Sequence, residues 1–241
     1  MKQIPCFRFL SFYGGLVGSI IYYLGFGLIL MLFRSTEEVM QWAIPKWGKF
    51  NLKSAGIDFE ISGRENLEKR PAIFVINHQS MLDLFIMCYL RPPKTLGVAK
   101  KSLIYIPVIG LFMKAVGVVF LDRHDRMKAL EGMRATKRLI DQGYSIVMAP
   151  EGTRTLTGEL QPLKKGAFYL ALQTGLPIIP ITIVNAYQLF PRQSWIPKPG
   201  IVKVYIDPPI ATKELTEATI PAMIERVHSV FLSHLVSPPL Q

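Results

Sequence analysis

Between Arg8 and Arg34 the chain runs through 25 residues, Phe9 to Phe33, without a single charge. If such a segment enters lipid it must satisfy its backbone N–H and C=O groups internally, which for one segment means a helix. As a helix it would reach about 37 Å at 1.5 Å per residue, enough to cross a hydrocarbon core with some tilt. It is too long for the apolar part of a cleaved leader, and no small-residue cleavage site follows. Gly14 and Gly18 form a small-xxx-small pair suited to close helix approach. The wider cluster, with Gly15, Gly25 and Gly27, equally suits a re-entrant hairpin, so a span and a monotopic insertion are both open.

Ser35 to Glu38 spells a capping box, Ser-x-x-Glu. It predicts a short amphipathic helix carrying Val39, Met40, Trp42 and Ala43, ended or kinked at Pro45. Trp42 and Trp47 with Lys46 and Lys49 read as an interfacial belt. Lys46, Lys49 and Lys53 follow the apolar stretch, against Lys2 and Arg8 before it. That bias places the rest of the chain on the cytoplasmic side of the cytoplasmic (inner) membrane. The one boundary falls near residue 50, giving membrane-anchoring helices over 1–50 and a globular body over 51–241.

A body of this size can bury a complete core as one domain. Lys and Arg total 28 against 17 acids, a net charge of +11, which suits anionic lipid or a phosphorylated substrate. The basic residues are scattered, with no zinc finger or basic-aromatic platform, so no nucleic acid partner is expected. Two cysteines, Cys6 and Cys88, support neither a disulfide framework nor a Cys-rich metal site.

From residue 57 strand and helix patterns alternate. Strands are predicted at Ile57–Ile61, Pro71–Ile76, Thr95–Ala99, Gly117–Leu121, Ser145–Met148, Pro177–Val184 and Ile201–Ile206. Helices are predicted at Ser80–Leu90, at Leu103–Val116 with an interruption by Pro107 and Gly110, at 126–142, at Leu163–Thr174 and from Pro221 to Leu235. The order implies an α/β fold with a largely parallel central sheet flanked by helices, preceded by the membrane-binding helical segment. Sites in such sheets form at the carboxyl ends of strands.

Two runs with chemical content sit at such ends. Asn77-His78-Gln79-Ser80-Met81-Leu82-Asp83 follows a strand and joins an imidazole to a carboxylate. Neutral imidazole takes a proton from a hydroxyl, and the carboxylate fixes its tautomer and stabilises the imidazolium. On one continuous helix the two would be about 140° apart. They meet only if His78 lies in the strand-to-helix turn, with Asn77 as turn former and Ser80 as cap, and Asp83 in the first turns of the helix. Pro150-Glu151-Gly152-Thr153-Arg154 follows another strand and supplies a glycine turn with exposed amides and a fixed cation, which suit a phosphate. Gly117 to Arg123 ends a strand with Asp122 and Arg123, and Lys100 and Lys101 end another, offering further cations. Together these runs suggest acyl transfer to a phosphate-bearing alcohol. His124, His228 and His234 have no partner at a defensible spacing, and no metal-ligand cluster is seen.

These places, in this order, resemble the blocks of the glycerolipid acyltransferase family, in particular its bacterial PlsC-like 1-acyl-glycerol-3-phosphate acyltransferases. The first block matches at Asn77, His78, Ser80 and Asp83, the second from Gly117 to Arg123, the third at Pro150 to Arg154, and the fourth at Pro177 to Pro180. Lys100 to Leu103 with Ile106, Pro107 and Gly110 is similar to the segment between the first two. The similarity covers roughly residues 57–210. It departs at Ala149, where the family carries a bulky residue, a change that would reshape the acceptor pocket.

The resemblance implies that residues 51–241 are an acyltransferase domain with the glycerol-3-phosphate acyltransferase-like fold. His78 is the general base on the sn-2 hydroxyl of lysophosphatidic acid, and Asp83 orients it. Asn77, Ser80, Lys100, Arg123, Glu151, Gly152, Thr153 and Arg154 would line the substrate. Backbone amides near the His78 turn would face the oxyanion, and the fatty chain would lie in an apolar tunnel. The donor would be acyl-CoA or acyl carrier protein as co-substrate, with no cofactor and no metal, and the product phosphatidic acid for phospholipid biosynthesis at the bilayer. Three alternatives stand beside it: the same chemistry on another lysophospholipid or an aminolipid, a membrane thioesterase or hydrolase using the same dyad on water, and a non-catalytic lipid carrier.

Overall fold

In the computed structural model, which describes residues 6–107, 109–122 and 126–236, one seven-stranded sheet divides the core. Its strands are β1 (Ile57–Ser62), β2 (Ile73–Ile76), β3 (Thr95–Lys100), β4 (Val119–Leu121), β5 (Ser145–Met148), β6 (Ile178–Val184) and β7 (Gly200–Ile206). Their order is β1-β7-β6-β2-β5-β3-β4. Every neighbouring pair is parallel except β6 and β7, so β1 and β7 form a reversed edge on a parallel sheet. The largely parallel α/β expectation holds.

The helices are α1 (Cys6–Leu30), α2 (Thr36–Ser54), α3 (Leu82–Leu90), α4 (Ile109–Ala115), α5 (Arg126–Asp141), α6 (Gly166–Thr174), α7 (Ala186–Leu189) and α8 (Ile220–Leu235). β2 shows why its run is apolar throughout. Phe74 and Ile76 face a core shared with α1, α2 and α3, while Ile73 and Val75 face a second core with α6 and α8. A strand covered on both faces has no solvent side for polar residues.

The N-terminal helices are built into this body. Phe12, Leu16 and Ile20 recur at helical spacing on α1 and are buried in the same cluster as β2 and β6. The capping box of α2 forms, with Ser35 and Glu38 exchanging side-chain and backbone hydrogen bonds. Pro45 does not end the helix, which continues to Ser54. An interior proline costs about 3 kcal/mol. Burial of Trp47, Asn51 and Leu52 beyond it outweighs that. Trp47 therefore leaves the proposed interfacial belt: it is 2% exposed and meets Phe85 edge-on at 5.3 Å. Trp42 stays nearer the surface, with Lys46 over its ring at 4.6 Å.

Gly48 marks the closest approach of α2 to α3. A Cβ there would lie 2.5 Å from the Phe85 carbonyl oxygen. The expected approach at Gly14 and Gly18 is absent among the described residues, with open space beside both. One helix among the described residues is long and apolar enough to cross a membrane, Arg8–Leu30. Its outward face exposes Leu10, Val17, Ile21, Tyr22, Phe26, Leu28 and Ile29.

Candidate active site

The two motif runs meet because their strands are neighbours. β2 and β5 pair in parallel with Val75 opposite Met148, so His78 and Glu151 each lie three residues beyond a paired position. The exit from β2 is fixed by Asn77, which is fully buried. Its Oδ1 accepts from the Ile183 N–H at 2.7 Å and its Nδ2 donates to the Ile183 carbonyl at 2.9 Å. The side chain continues the ladder to β6 for one more step. Asn77 was expected at the substrate; both of its ends are instead taken by the fold.

His78 comes next, outside both strand and helix. Its N–H donates to Glu151 Oε1, and its carbonyl accepts from the Thr155 N–H at 3.0 Å. The loop after β5 thus grips the peptide from both sides. Asp83 sits in the first turn of α3, as the dyad requires. Its Oδ2 accepts from His78 Nδ1 at 2.9 Å and from the N–H groups of Gln79 at 2.8 Å and Ser80 at 2.9 Å. A carboxylate only accepts, so Nδ1 carries the proton of the neutral ring and Nε2 holds the lone pair. The Asp83 side chain is 1% exposed and that of His78 31%, so the imidazole alone opens outward.

This wiring bears on two expectations. Ser80 is fully buried; its Oγ donates to the Phe190 carbonyl at 2.7 Å and accepts from the Leu82 N–H at 3.2 Å. It holds the turn. The N–H groups of His78, Gln79 and Ser80 are all taken by carboxylates, so these three amides do not form the oxyanion site.

Glu151 is 2% exposed and also faces inward. Besides the His78 N–H it accepts from the Gln161 N–H at 3.0 Å. Burial pushes its carboxyl up to about 7 against the pull of these hydrogen bonds. It ties the β5 loop to the His78 turn. Gly152 turns the chain at φ +80°, and its N–H donates to the Ala149 carbonyl at 3.0 Å. A Cβ there would come within 2.9 Å of Lys164 Nζ. Thr155 then organises the following bend, its Oγ1 accepting from the N–H groups of Thr157 and Gly158.

What the loop offers to solvent is cationic. Thr153 is exposed and Arg154 is half-buried. Burial first, then the charge of Arg192, lowers the Arg154 pKa, yet a guanidinium stays charged throughout the ordinary pH range. Arg192 was missed in the sequence, where it is one of many scattered basic residues. It lies in the loop after α7, with Nη1 3.3 Å from Thr153 Oγ1 and 3.5 Å from the Arg154 carbonyl. Only the adjacency of β6 and β2 brings it there. Lys100 is exposed at the end of β3, on the same sheet edge but with β5 between it and β2. Arg123 lies outside the described residues. No three His, Cys, Asp or Glu side chains gather as a metal site among the described residues.

α1 borders this site. Phe12 meets Phe190 edge-on at 5.7 Å, Arg8 reaches the Pro197 carbonyl at 3.5 Å, and Tyr13 lies within the field of Arg154. His234 and Asp207 form a second His–Asp pair at 3.1 Å, stacked on Tyr205 of β7. It belongs to the reversed edge of the sheet.

The Acyltransferase family profile matches residues 58–184. The 1-acyl-sn-glycerol-3-phosphate acyltransferase of Saccharomyces cerevisiae is 35% identical over 211 residues, 86% of this chain and 70% of that protein. The protein of the same name from Limnanthes alba is 35% identical over 181 residues; the match covers 75% of this chain and 64% of the longer plant protein. The crystal structure of the 1-acyl-sn-glycerophosphate (LPA) acyltransferase PlsC from Thermotoga maritima superposes with a TM-score of 0.83 at 27% identity, covering 98% of both chains.

Proposed function

This chain belongs to the acyltransferase family, and from that premise we propose that it transfers a fatty acyl group from a thioester donor to the sn-2 hydroxyl of 1-acyl-sn-glycerol-3-phosphate, giving phosphatidic acid. The observation that carries the reading is the dyad: a buried carboxylate with three donors on one oxygen, holding an imidazole whose Nε2 faces outward.

In this reading His78 Nε2 takes the proton of the sn-2 hydroxyl as its oxygen attacks the thioester carbonyl carbon. Asp83 stabilises the imidazolium that forms. Collapse of the tetrahedral adduct breaks the C–S bond, and the proton passes from His78 to the leaving thiolate. Arg154 binds the acceptor phosphate, a role its fork of donors suits. Lys100 and Arg123 remain candidates for further cations of the pocket by their place after β3 and β4. Either acyl-CoA or acyl carrier protein serves as donor, and no cofactor is called for by the chemistry.

The proposed setting is the cytoplasmic face of a membrane, supported by the lysines that follow α1. Burial of Phe12, Leu16 and Ile20 in the body favours a helix that enters the bilayer from the side over one that spans it freely.

The test is transfer of labelled palmitoyl from CoA to lysophosphatidic acid in detergent micelles, wild type beside His78→Ala. Phosphatidic acid from wild type and at least about a hundredfold loss in the variant are expected, the scale of a general base. Free fatty acid without phosphatidic acid would point to a hydrolase, and equal rates in both proteins would remove His78 from the chemistry.

A further inference from the structure

Arg154 and Arg192 come from loops that follow different strands, and these loops are tied together where the Tyr187 hydroxyl and the Gln193 side-chain amide both donate to the Leu156 carbonyl. Arg154 precedes Thr155, whose N–H holds the His78 carbonyl. Arg192 follows α7, and its Nη1 reaches over Thr153 Oγ1 and the Arg154 carbonyl. Like charges carried by neighbouring loops repel one another. The charge of Arg192 does act against Arg154. The nearby acids do not relieve this pair by contact. The carboxylate oxygens of Glu151 receive backbone N–H groups of His78 and Gln161, and Asp83 Oδ2 is held by the base and two amides. Among the described residues the Arg154 guanidinium makes no side-chain ion pair. An arrangement that brings two cations together at the mouth of a site, beside the catalytic imidazole, is completed by an anion carrying more than one charge.

We propose that Arg192 is a second phosphate ligand, which pairs with Arg154 to select an acceptor whose headgroup is a terminal phosphate monoester over one whose phosphate is a diester. This deepens the reading under Proposed function and rests on it. A monoester carries about 1.5 to 2 negative charges near neutral pH and three open oxygens. A diester carries one charge and two open oxygens, enough for a single guanidinium fork. One arginine binds both headgroups; the second arginine finds a partner only on the monoester. The Thr153 hydroxyl accepts from Arg192 and so holds its guanidinium at the loop that carries Arg154.

The test compares wild type, Arg192→Gln, Arg192→Lys and Lys198→Gln as full-length protein in detergent micelles. Lys198→Gln removes the same charge from the same exposed loop and controls for the general field. The KM and kcat for lysophosphatidic acid are measured, together with the competition constant of lysophosphatidylglycerol, whose phosphate is a diester. Arg192→Gln is expected to raise the KM for lysophosphatidic acid about tenfold, the scale of one charge-assisted hydrogen bond, with kcat changed far less. The diester constant should stay within about twofold, and Lys198→Gln should match wild type. Arg192→Lys should restore part of the loss, since it keeps the charge and loses the fork.

An unchanged KM in Arg192→Gln overturns the proposal, as does an equal loss on monoester and diester, which would mark a structural role for the loop. A loss of equal size in Lys198→Gln also overturns it, since the effect would then be one of net charge. A wild type that makes no phosphatidic acid under any donor overturns the parent reading, and that outcome is visible before any variant is compared.

Discussion

Asp83→Asn separates the charge of the dyad from its geometry, and the structure sets the size of the effect. Asp83 Oδ2 accepts from His78 Nδ1 and from two amides, while Oδ1 is buried without a hydrogen bond among the described residues. An asparagine with its oxygen in the Oδ2 position keeps all three donors, and its amide group enters a place where no donor has to be displaced. The turn should therefore survive. What disappears is the attraction between the carboxylate and the imidazolium formed during the reaction. At 2.9 Å and an effective dielectric of roughly 20, that attraction is about 6 kcal/mol. Water reaches the His78 side chain, which is 31% exposed, and this screening reduces the estimate to roughly 3 kcal/mol, or about a hundredfold in kcat. The assay is the initial rate of phosphatidic acid formation at saturating donor and acceptor, with thermal melting to check the fold. A folded Asp83→Asn protein with kcat within about threefold of wild type would refute the reasoning, because the carboxylate would then contribute geometry alone.

Glu151 ionises only above about 7 when folded, against an ordinary value of 4.5, so the folded state holds its proton where the unfolded state has lost it. Stability should be fullest below about pH 4.5 and fall through about pH 7, by about 3 kcal/mol at most. Denaturant midpoints across that range should show the slope in wild type and a flatter line in Glu151→Gln; parallel lines would disprove the linkage. Asn77→Ala leaves both backbone groups of Ile183 without their partner and should cost about 2–4 kcal/mol, with activity lost alongside the melting temperature; a melting temperature unchanged from wild type would contradict this. Gly48→Ala places a methyl 2.5 Å from the Phe85 carbonyl and should lower the melting temperature, at a cost of about 1–3 kcal/mol. Gly18→Ala, where space is open, should not, and the reverse order in a melting experiment would refute the placement of α2 on α3.

The parts legible in the sequence share one property: they depend on local spacing. β5 falls at Ser145–Met148 as predicted because a short apolar run between a glycine stop and a proline permits little else. The His78–Asp83 pair was legible for the same reason, since five residues bridge one turn and the start of one helix. Roles that depend on which strands pair were not legible. Asn77, Ser80 and Glu151 look like substrate ligands in a linear motif because they flank the base. In the fold their polar atoms are taken by Ile183, Phe190 and the His78 peptide, and those partners are defined only by the order β6-β2-β5. Pro45 misled in the opposite direction: its local cost is real, but burial of Trp47 and Leu52 beyond it was not visible in the helix's own sequence. Arg192 carried no signal at all, because a scattered arginine becomes a site residue only when α7 delivers its loop to the β5 turn.

On the proposed reading, the motif is a scaffold that carries the His78 imidazole and the Arg154 guanidinium. Of the residues in the two runs, His78, Thr153 and Arg154 reach the surface, and the buried members hold the turns that carry them. The same scaffold extends to the N-terminal helix. The Phe12 ring meets Phe190, the Phe190 carbonyl holds the Ser80 hydroxyl, and the Ser80 N–H rests on Asp83. Arg8 reaches Pro197 in the loop that also carries Arg192. One short chain of contacts thus joins α1 to the dyad, and another joins it to the cation pair. On the proposed reading, the acceptor lipid arrives along the helix face that exposes Val17, Ile21 and Phe26. A helix that served only as a tether could be exchanged for any apolar span of equal length. In this chain the inner face of the helix also supplies Phe12, Leu16 and Ile20 to the core shared with β2 and β6.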